Sequence, residues 1–287
     1  MIKVLLNKIQ NVVKFVINLN PFNKKKNMQN ISLEFESSLD ELVALALSMA
    51  AIEMLGYKGI QKQIADYPES SLHIGVGDPN DPGVVENSSR MMFVNILASY
   101  TNRTVNVEEL IHSQMIQLWL EFLDQIFYEI LQLQASGNAT IKANELKIDI
   151  KKLDLSQLGT NSFNNTLLDK ALRDFQFLQY GSKIQTIKKM VGANGIDEEK
   201  LVSAKKHVLC RNLLQHHKGV LRQEDINGPG YGLGRNFSMI GIDKKPQVIG
   251  VGQRINITYW EIEQIRDDFV VLAKEIVSCA TQPPHDS

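Results

Sequence analysis

Apolar residues recur every three to four positions over most of this chain, the spacing that places side chains on one face of a helix. The longest such stretch runs from Val107 to Gln134 and follows Asn106, a residue type that commonly caps helices. The same spacing predicts further helices over Ser38–Leu55, Met91–Tyr100, Leu167–Val191, Glu198–His217 and the segment after Thr258. The pattern therefore predicts a mainly helical protein.

Capping and turn-forming residues set the predicted limits of these helices. Ser38 and Thr258 are each followed three residues later by Glu, an arrangement that caps the first turn of a helix. Gly56 is expected to end the first helix, and the glycines and prolines between Gly75 and Ser89 predict a loop. Phe237–Ile242 and Gln247–Ile257 have strand character and suggest a β-hairpin. The predicted fold class is thus all-α, with a small β-hairpin insert before the last helix.

The composition along the chain suggests three segments. Residues 1–30 form a basic amphipathic leader, residues 31–106 an N-terminal helical region, and residues 107–282 the main helical domain. We expect the leader to pack on the protein or on a partner, or to be partly disordered. Membrane association through residues 1–26 is the less favoured interpretation, because the stretch is too polar to span a bilayer.

Bulk composition narrows the class of protein without naming a function. The chain has 287 residues, 44% hydrophobic and 22% charged, which is ordinary for a globular protein with a proper core. Its two cysteines make no disulfide framework and no metal-binding spacing, which favours a reducing, cytoplasmic location. The net charge of −1 does not indicate a nucleic-acid binder overall.

Candidate chemistry is concentrated at the end of the predicted helix Glu198–His217. Arg211 offers a permanent positive charge and a planar set of donors to a phosphate, while His216 can take and give a proton near neutral pH. Asn212 lies four residues before His216, on the same face of the helix. These three residue types together are suited to a phosphate-handling site.

The order Arg211, Asn212, three residues and then His216 resembles the signature of the HEPN superfamily (higher eukaryotes and prokaryotes nucleotide-binding). The resemblance implies a HEPN-like helical bundle over residues 107–282 and a metal-independent endoribonuclease that needs no cofactor. It implies RNA cleavage to a 2′,3′-cyclic phosphate and a 5′-OH, with Arg211, Asn212 and His216 as catalytic residues. It further implies a homodimer in which two motif helices face each other, and it associates the chain with toxins, their antitoxin or other regulatory partners, and antiviral defence.

Further residues are candidates for supporting roles. His217, His207, Glu121 and Lys218 are possible accessory groups, although His207 is more simply interpreted as a helix-surface histidine. Lys205, Lys206 and Arg222 are candidate substrate-binding residues, because the segment around the motif is basic and contains no acid. His216 and His217 are adjacent and point in different directions, so no metal site is predicted there. The alternative function is a non-catalytic HEPN-type nucleotide- or RNA-binding or dimerisation module.

Overall fold

A computed structural model describes residues 27–78, 81–101, 106–135, 161–191, 195–227 and 237–281. This part of the chain is mostly helical, as predicted, with helices α1 (Met28–Asp66), α2 (Phe93–Thr101), α3 (Val107–Ala135), α4 (Asn161–Gln176), α5 (Tyr180–Val191), α6 (Glu198–His217), α7 (Gln223–Asn227) and α8 (Tyr259–Thr281). None of the described helices is both long enough and apolar enough to cross a bilayer. The predictions for residues 1–26 lie outside the described residues.

Helix α1 is longer than predicted at both ends. It runs through Ser38, which is therefore not its cap, and through Gly56 to Asp66. A glycine inside a helix costs only about 1 kcal/mol relative to alanine, and the strong helix formers Met54 and Leu55 precede Gly56. A Cβ atom at Gly56 would meet nothing within 4 Å, so no close contact requires the glycine there.

The segment predicted as a loop between α1 and α2 forms a hairpin instead. Strand β1 (Ser71–Asp78) pairs antiparallel with β2 (Asp81–Met92), from Ser71 opposite Met92 to an irregular register near Gly77. The apolar residues Leu72, Ile74 and Val76 alternate with small or polar residues, which is the period of a strand. This alternation outweighed the glycines on which the loop prediction rested.

The hairpin predicted before the last helix is present, with a shorter second strand. Strand β3 (Ser238–Ile240) pairs antiparallel with β4 (Pro246–Val248). The strand predicted to reach Ile257 ends at Val248 because the chain then turns, with a backbone hydrogen bond from Gln253 to Gly250 and a positive φ of 84° at Gly252.

The chain divides into two compact units that each combine distant parts of the sequence. Of the described residues, those within Met1–Phe35, Leu120–Ile196 and Ala273–Ser287 form the first unit, and those within Glu36–Trp119 and Asp197–Leu272 form the second. In the first unit, Phe127 stacks on Phe175 with ring centroids 4.0 Å apart. The Lys183 Nζ lies 2.6 Å from the Asp124 Oδ1, where burial raises the pKa of Asp124 and the ion pair opposes that rise. The three sequential segments proposed from the sequence stay a prediction.

The second unit is built around helix α6. Its buried side supplies Leu201, Ala204, His207, Val208, Leu209, Cys210 and Leu213 to the core. The unit also contains the first part of α3 and the first part of α8, where Trp119 stacks on Phe269 with ring centroids 4.8 Å apart. All of the predicted motif residues except Glu121 belong to this unit.

Candidate functional site at helix α6

Helix α6 has well-defined ends that fix the position of the motif. Asp197 caps the N-terminus, because its Oδ1 accepts hydrogen bonds from the backbone N–H groups of Glu199 at 2.9 Å and Lys200 at 3.2 Å. At the other end, Lys218 adopts the left-handed conformation, and the Gly219 N–H donates to the Leu213 carbonyl at 2.9 Å. The predicted bounds of this helix, Glu198–His217, are confirmed.

The three predicted catalytic residues lie on the last two turns of α6 in different degrees of exposure. His216 is exposed to solvent, whereas Arg211 and Asn212 are half-buried. The Arg211 Nε is buried without a hydrogen-bond partner among the described residues. An exposed imidazole and a guanidinium on the last two turns of one helix are chemically suited to moving a proton and to binding a phosphate.

The possible accessory residues are spread more widely. Lys218 is exposed two positions after His216. His217 is half-buried, with its ring centroid 6.4 Å from that of His216, and its Nδ1 finds no hydrogen-bond partner among the residues that the structure describes. Glu121 is half-buried and belongs to the first unit. His207, which we interpreted as a surface histidine, is fully buried, and that interpretation was wrong.

The candidate substrate-binding residues also differ from one another. Lys205 is half-buried, and burial lowers its pKa, while Arg222 is exposed with its Nη1 3.7 Å from the Glu224 Oε1. The Lys206 Nζ lies 2.6 Å from the Glu261 Oε1 and donates to the Ser238 carbonyl at 3.3 Å. Because its ammonium group already has these partners, Lys206 is a structural residue here and not an open phosphate contact.

A buried polar cluster that the sequence did not predict lies behind the motif. The His112 Nε2 on α3 is 3.2 Å from the His207 Nδ1 on α6, and both rings are fully buried. The Glu261 side chain on α8 is also fully buried, with its Oε1 3.3 Å from the His207 Nε2. That contact is within ion-pair distance but lacks hydrogen-bond geometry, since His207 Nε2 has no hydrogen-bond partner in the described part of the chain.

Glu261 is held by the start of its own helix and by the hairpin. The Glu261 N–H donates to the Thr258 Oγ1 at 3.2 Å, which confirms Thr258 as the N-cap of α8. The Glu261 carboxylate does not complete the predicted capping box, because it accepts a hydrogen bond from the Ile240 N–H and pairs with Lys206. One carboxylate therefore joins β3, α6 and α8.

Burial keeps the cluster uncharged at its histidines and cysteine. It lowers the pKa of His112 to about 3, with further lowering by the positive charges of Lys206 and Arg211. It also lowers the pKa of His207 well below the usual value, and it raises the pKa of the Cys210 thiol to about 12. Neither histidine is suited to exchange protons with a substrate at neutral pH, so the exposed His216 is the better candidate for acid–base chemistry.

An ion pair fixes the C-terminal end of α6 from the side of α3. The Arg254 Nη2 lies 2.7 Å from the Oε1 of Glu109, a buried carboxylate, while the Arg254 Nε donates to the Lys218 carbonyl at 3.1 Å. The backbone of Val220 also pairs with Arg254 in an isolated antiparallel bridge. These contacts position the exposed end of the helix that carries His216.

The chain matches no family model, no curated protein and no solved structure. His112 and Glu261 are the residues that sequence reasoning missed. They lie 95 and 54 positions from His207 along the chain. Each occupies a position on the apolar side of its helix, and a polar residue at such a position is the sequence signal that could have indicated a buried polar group.

Proposed function

We propose that this chain is a metal-independent endoribonuclease in which His216 and Arg211 act on one RNA phosphate. The observation that carries the proposal is the exposed imidazole of His216, five residues beyond Arg211, whose buried Nε has no hydrogen-bond partner among the described residues, on a helix with fixed ends. The reaction type comes from the resemblance of Arg211, Asn212 and His216 to the HEPN motif.

The proposed chemistry assigns one role to each residue. His216 removes the proton from the ribose 2′-OH, or donates a proton to the leaving 5′-oxygen, and Arg211 stabilises the negative charge that develops on the phosphate oxygens. Asn212 orients the phosphate or the imidazole. The products are a 2′,3′-cyclic phosphate and a 5′-OH.

A phosphate bound near the C-terminal end of α6 needs positively charged side chains close by. The C-terminal end of a helix carries a partial negative charge and disfavours a bound anion by about 0.3–1 kcal/mol. The exposed Lys218 lies at this end and offsets that effect, and Arg211 lies about two turns before it. Lys205 and Arg222 remain candidates for contacts with neighbouring phosphates, whereas Lys206 is no longer one.

The test is cleavage of labelled RNA by the pure protein, with EDTA added together with the RNA. We expect cleavage with a cyclic-phosphate end, and a loss of about 100-fold or more in His216→Ala, the range typical of a missing general acid or base. Gln215→Ala is the matched control, because Gln215 is the exposed neighbour of His216, and it should cleave normally. Arg211→Ala should also lose cleavage.

The outcomes separate the enzyme from a binding module. Full cleavage in His216→Ala would show that the catalytic assignment is wrong. RNA binding in a gel-shift assay, without cleavage by the wild-type protein, would favour the non-catalytic module. His217→Ala should matter less, and a larger loss there than in His216→Ala would move the role of the base to His217.

The proposal includes a homodimer, because the chain contains one copy of the motif and the resemblance implies that two copies form one site. Light scattering should then report a mass close to twice 32.4 kDa. Mixing Arg211→Ala protomers with His216→Ala protomers should restore part of the activity if the two residues of one site come from different chains. An active monomer would contradict the shared site.

A further inference from the structure

Three side chains that commonly bind metal ions meet in the core of the second unit. The ligand atoms of His112, His207 and Cys210 all lie within 4.8 Å of one another, and all three residues are buried. His207 and Cys210 are three positions apart on α6 and therefore share one face, while His112 approaches from α3. This trio is distinct from His216, which is exposed near the end of α6.

We propose that His112, His207 and Cys210 bind a thiophilic d10 cation, copper(I) or zinc(II), as a structural metal site. The His112 Nε2 and His207 Nδ1 are 3.2 Å apart. Two imidazole nitrogens on a tetrahedral ion, at bonds of about 2.0–2.1 Å, would be about 3.3 Å apart. The two nitrogens, which share a hydrogen bond, are thus already spaced as ligands. The distance from the Cys210 Sγ to either nitrogen needs to fall by at most about 1.3 Å, given a sulfur–metal bond of about 2.3 Å.

The surroundings of His207 are those of a metal-bound histidine. The Glu261 Oε1 lies 3.3 Å from the His207 Nε2, the ring nitrogen on the side away from His112. Metal-binding histidines usually donate their second N–H to a carboxylate or carbonyl, which fixes the tautomer and orients the ring. A cation on Nδ1 would place the proton on Nε2, the nitrogen that faces the Glu261 carboxylate.

The sulfur atoms favour copper(I) over zinc(II). The Met239 Sδ lies 3.8 Å from the Cys210 Sγ, so a second soft sulfur atom borders the trio. When the metal–sulfur bond forms, the thiol proton of Cys210 leaves to solvent.

The test loads the full-length protein during refolding, because all three ligands are buried. The protein is refolded without oxygen in the presence of copper(I) or zinc(II), desalted, and assayed for bound metal by mass spectrometry. We expect about one copper ion per chain, held against a colorimetric copper(I) chelator. The affinity should fall by more than about 100-fold in Cys210→Ala and in His112→Gln, since loss of an outer partner alone costs about 10–100-fold.

The controls separate this site from other thiols and from misfolding. Cys279→Ser removes the second cysteine, which lies in the other unit, and should bind copper as the wild type does. Met239→Leu should weaken copper(I) more than zinc(II). If either ligand variant fails to fold, cobalt(II) in the wild-type protein still reports a thiolate ligand through its near-ultraviolet charge-transfer band.

Each outcome decides the proposal. Retention of no more copper or zinc by the wild type than by Cys210→Ala, or a cobalt spectrum without a thiolate band, would overturn the site. Retention of zinc but not copper would keep the site and overturn the preference for copper(I). None of these measurements depends on RNA cleavage.

Discussion

The middle and the C-terminal end of α6 carry similar side chains in opposite surroundings. His207 is fully buried, while His216 is exposed. The two histidines are nine positions apart, which at 100° per residue places them about 180° apart around the helix. One side of α6 thus holds neutral imidazoles in the core, and the other offers an imidazole to solvent.

Arg211 lies between these two sides. It is about 40° from His207 and about 140° from His216 around the helix axis. Its half-buried position and its effect on His112 agree with the side nearer the core. This geometry makes it easier for Arg211 to meet His216 of a second chain than His216 of its own chain, which is what the proposed homodimer requires.

The comparison also shows that residue type does not decide the role of a histidine. His112, His207 and Glu261 meet because three helices bring them together, and the resulting burial removes the histidine charges. His216 keeps its access to solvent since it lies in the last turn of α6. The buried side should therefore control stability, and the exposed side should control chemistry.

The largest change in stability is expected at Glu261. Glu261→Ala removes the partner of Lys206 and leaves the Ile240 N–H without its acceptor. Breaking a buried ion pair by removing one partner costs about 3–5 kcal/mol in the free energy of unfolding. Chemical denaturation followed by circular dichroism measures this change.

Asp267→Ala is the matched control on the same helix. Asp267 is paired with Arg266, but its side chain is 64% exposed, so its loss should cost less than about 1 kcal/mol. Equal destabilisation by the two variants would contradict the view that the buried side of α6 carries the stability of this unit.

A smaller effect is expected at Arg254, which supports the exposed end. Arg254→Ala leaves the buried carboxylate of Glu109 without its ion-pair partner and removes the donor to the Lys218 carbonyl. The loss of a partner for a buried polar group costs about 1–3 kcal/mol. Arg222→Ala, which removes an exposed cation 3.7 Å from Glu224, should change the free energy of unfolding by less than about 0.5 kcal/mol.

The RNA assay tests whether Arg254 also positions the motif for cleavage. If Arg254 positions the end of α6, Arg254→Ala should lower the cleavage rate without changing the identity of the products. Unchanged cleavage, together with the expected loss of stability, would show that the ion pair stabilises the unit and does not position the site.

Local patterns were enough to predict the elements that carry the motif. The bounds of α6 follow from the apolar spacing, and the cap of α8 follows from Thr258. Local reasoning was wrong for α1, where Gly56 does not end the helix, and for the hairpin at residues 71–92. In both places, the residues around the glycines, and not the glycines themselves, decide the secondary structure.

The buried cluster could not be predicted in the same way. Its members come from α3, α6 and α8, and nothing in the spacing of His112, His207 and Glu261 along the chain shows that they meet. His207 lies four positions before Arg211, which makes it a candidate accessory group from the sequence, but its burial depends on the helices that cover it. Tertiary packing, and not the sequence pattern of α6, decides which histidine is exposed.

A small gain in stability is expected at Lys218, where the helix ends. Lys218 has a φ of 53° and a ψ of 29°, a left-handed conformation that disfavours residues with a Cβ and is usually occupied by glycine. Lys218→Gly should therefore raise the free energy of unfolding by about 0.5–1 kcal/mol, the gain from relieved strain being reduced by the greater freedom of glycine in the unfolded chain. Lys218→Ala keeps a Cβ and should give no such gain.

The RNA assay tests whether Lys218 also contacts the substrate. If Lys218 contacts a phosphate, Lys218→Gly should be more stable than the wild type but should cleave RNA more slowly. Destabilisation by Lys218→Gly would show that the exposed end is held by its side-chain contacts more than by its backbone conformation.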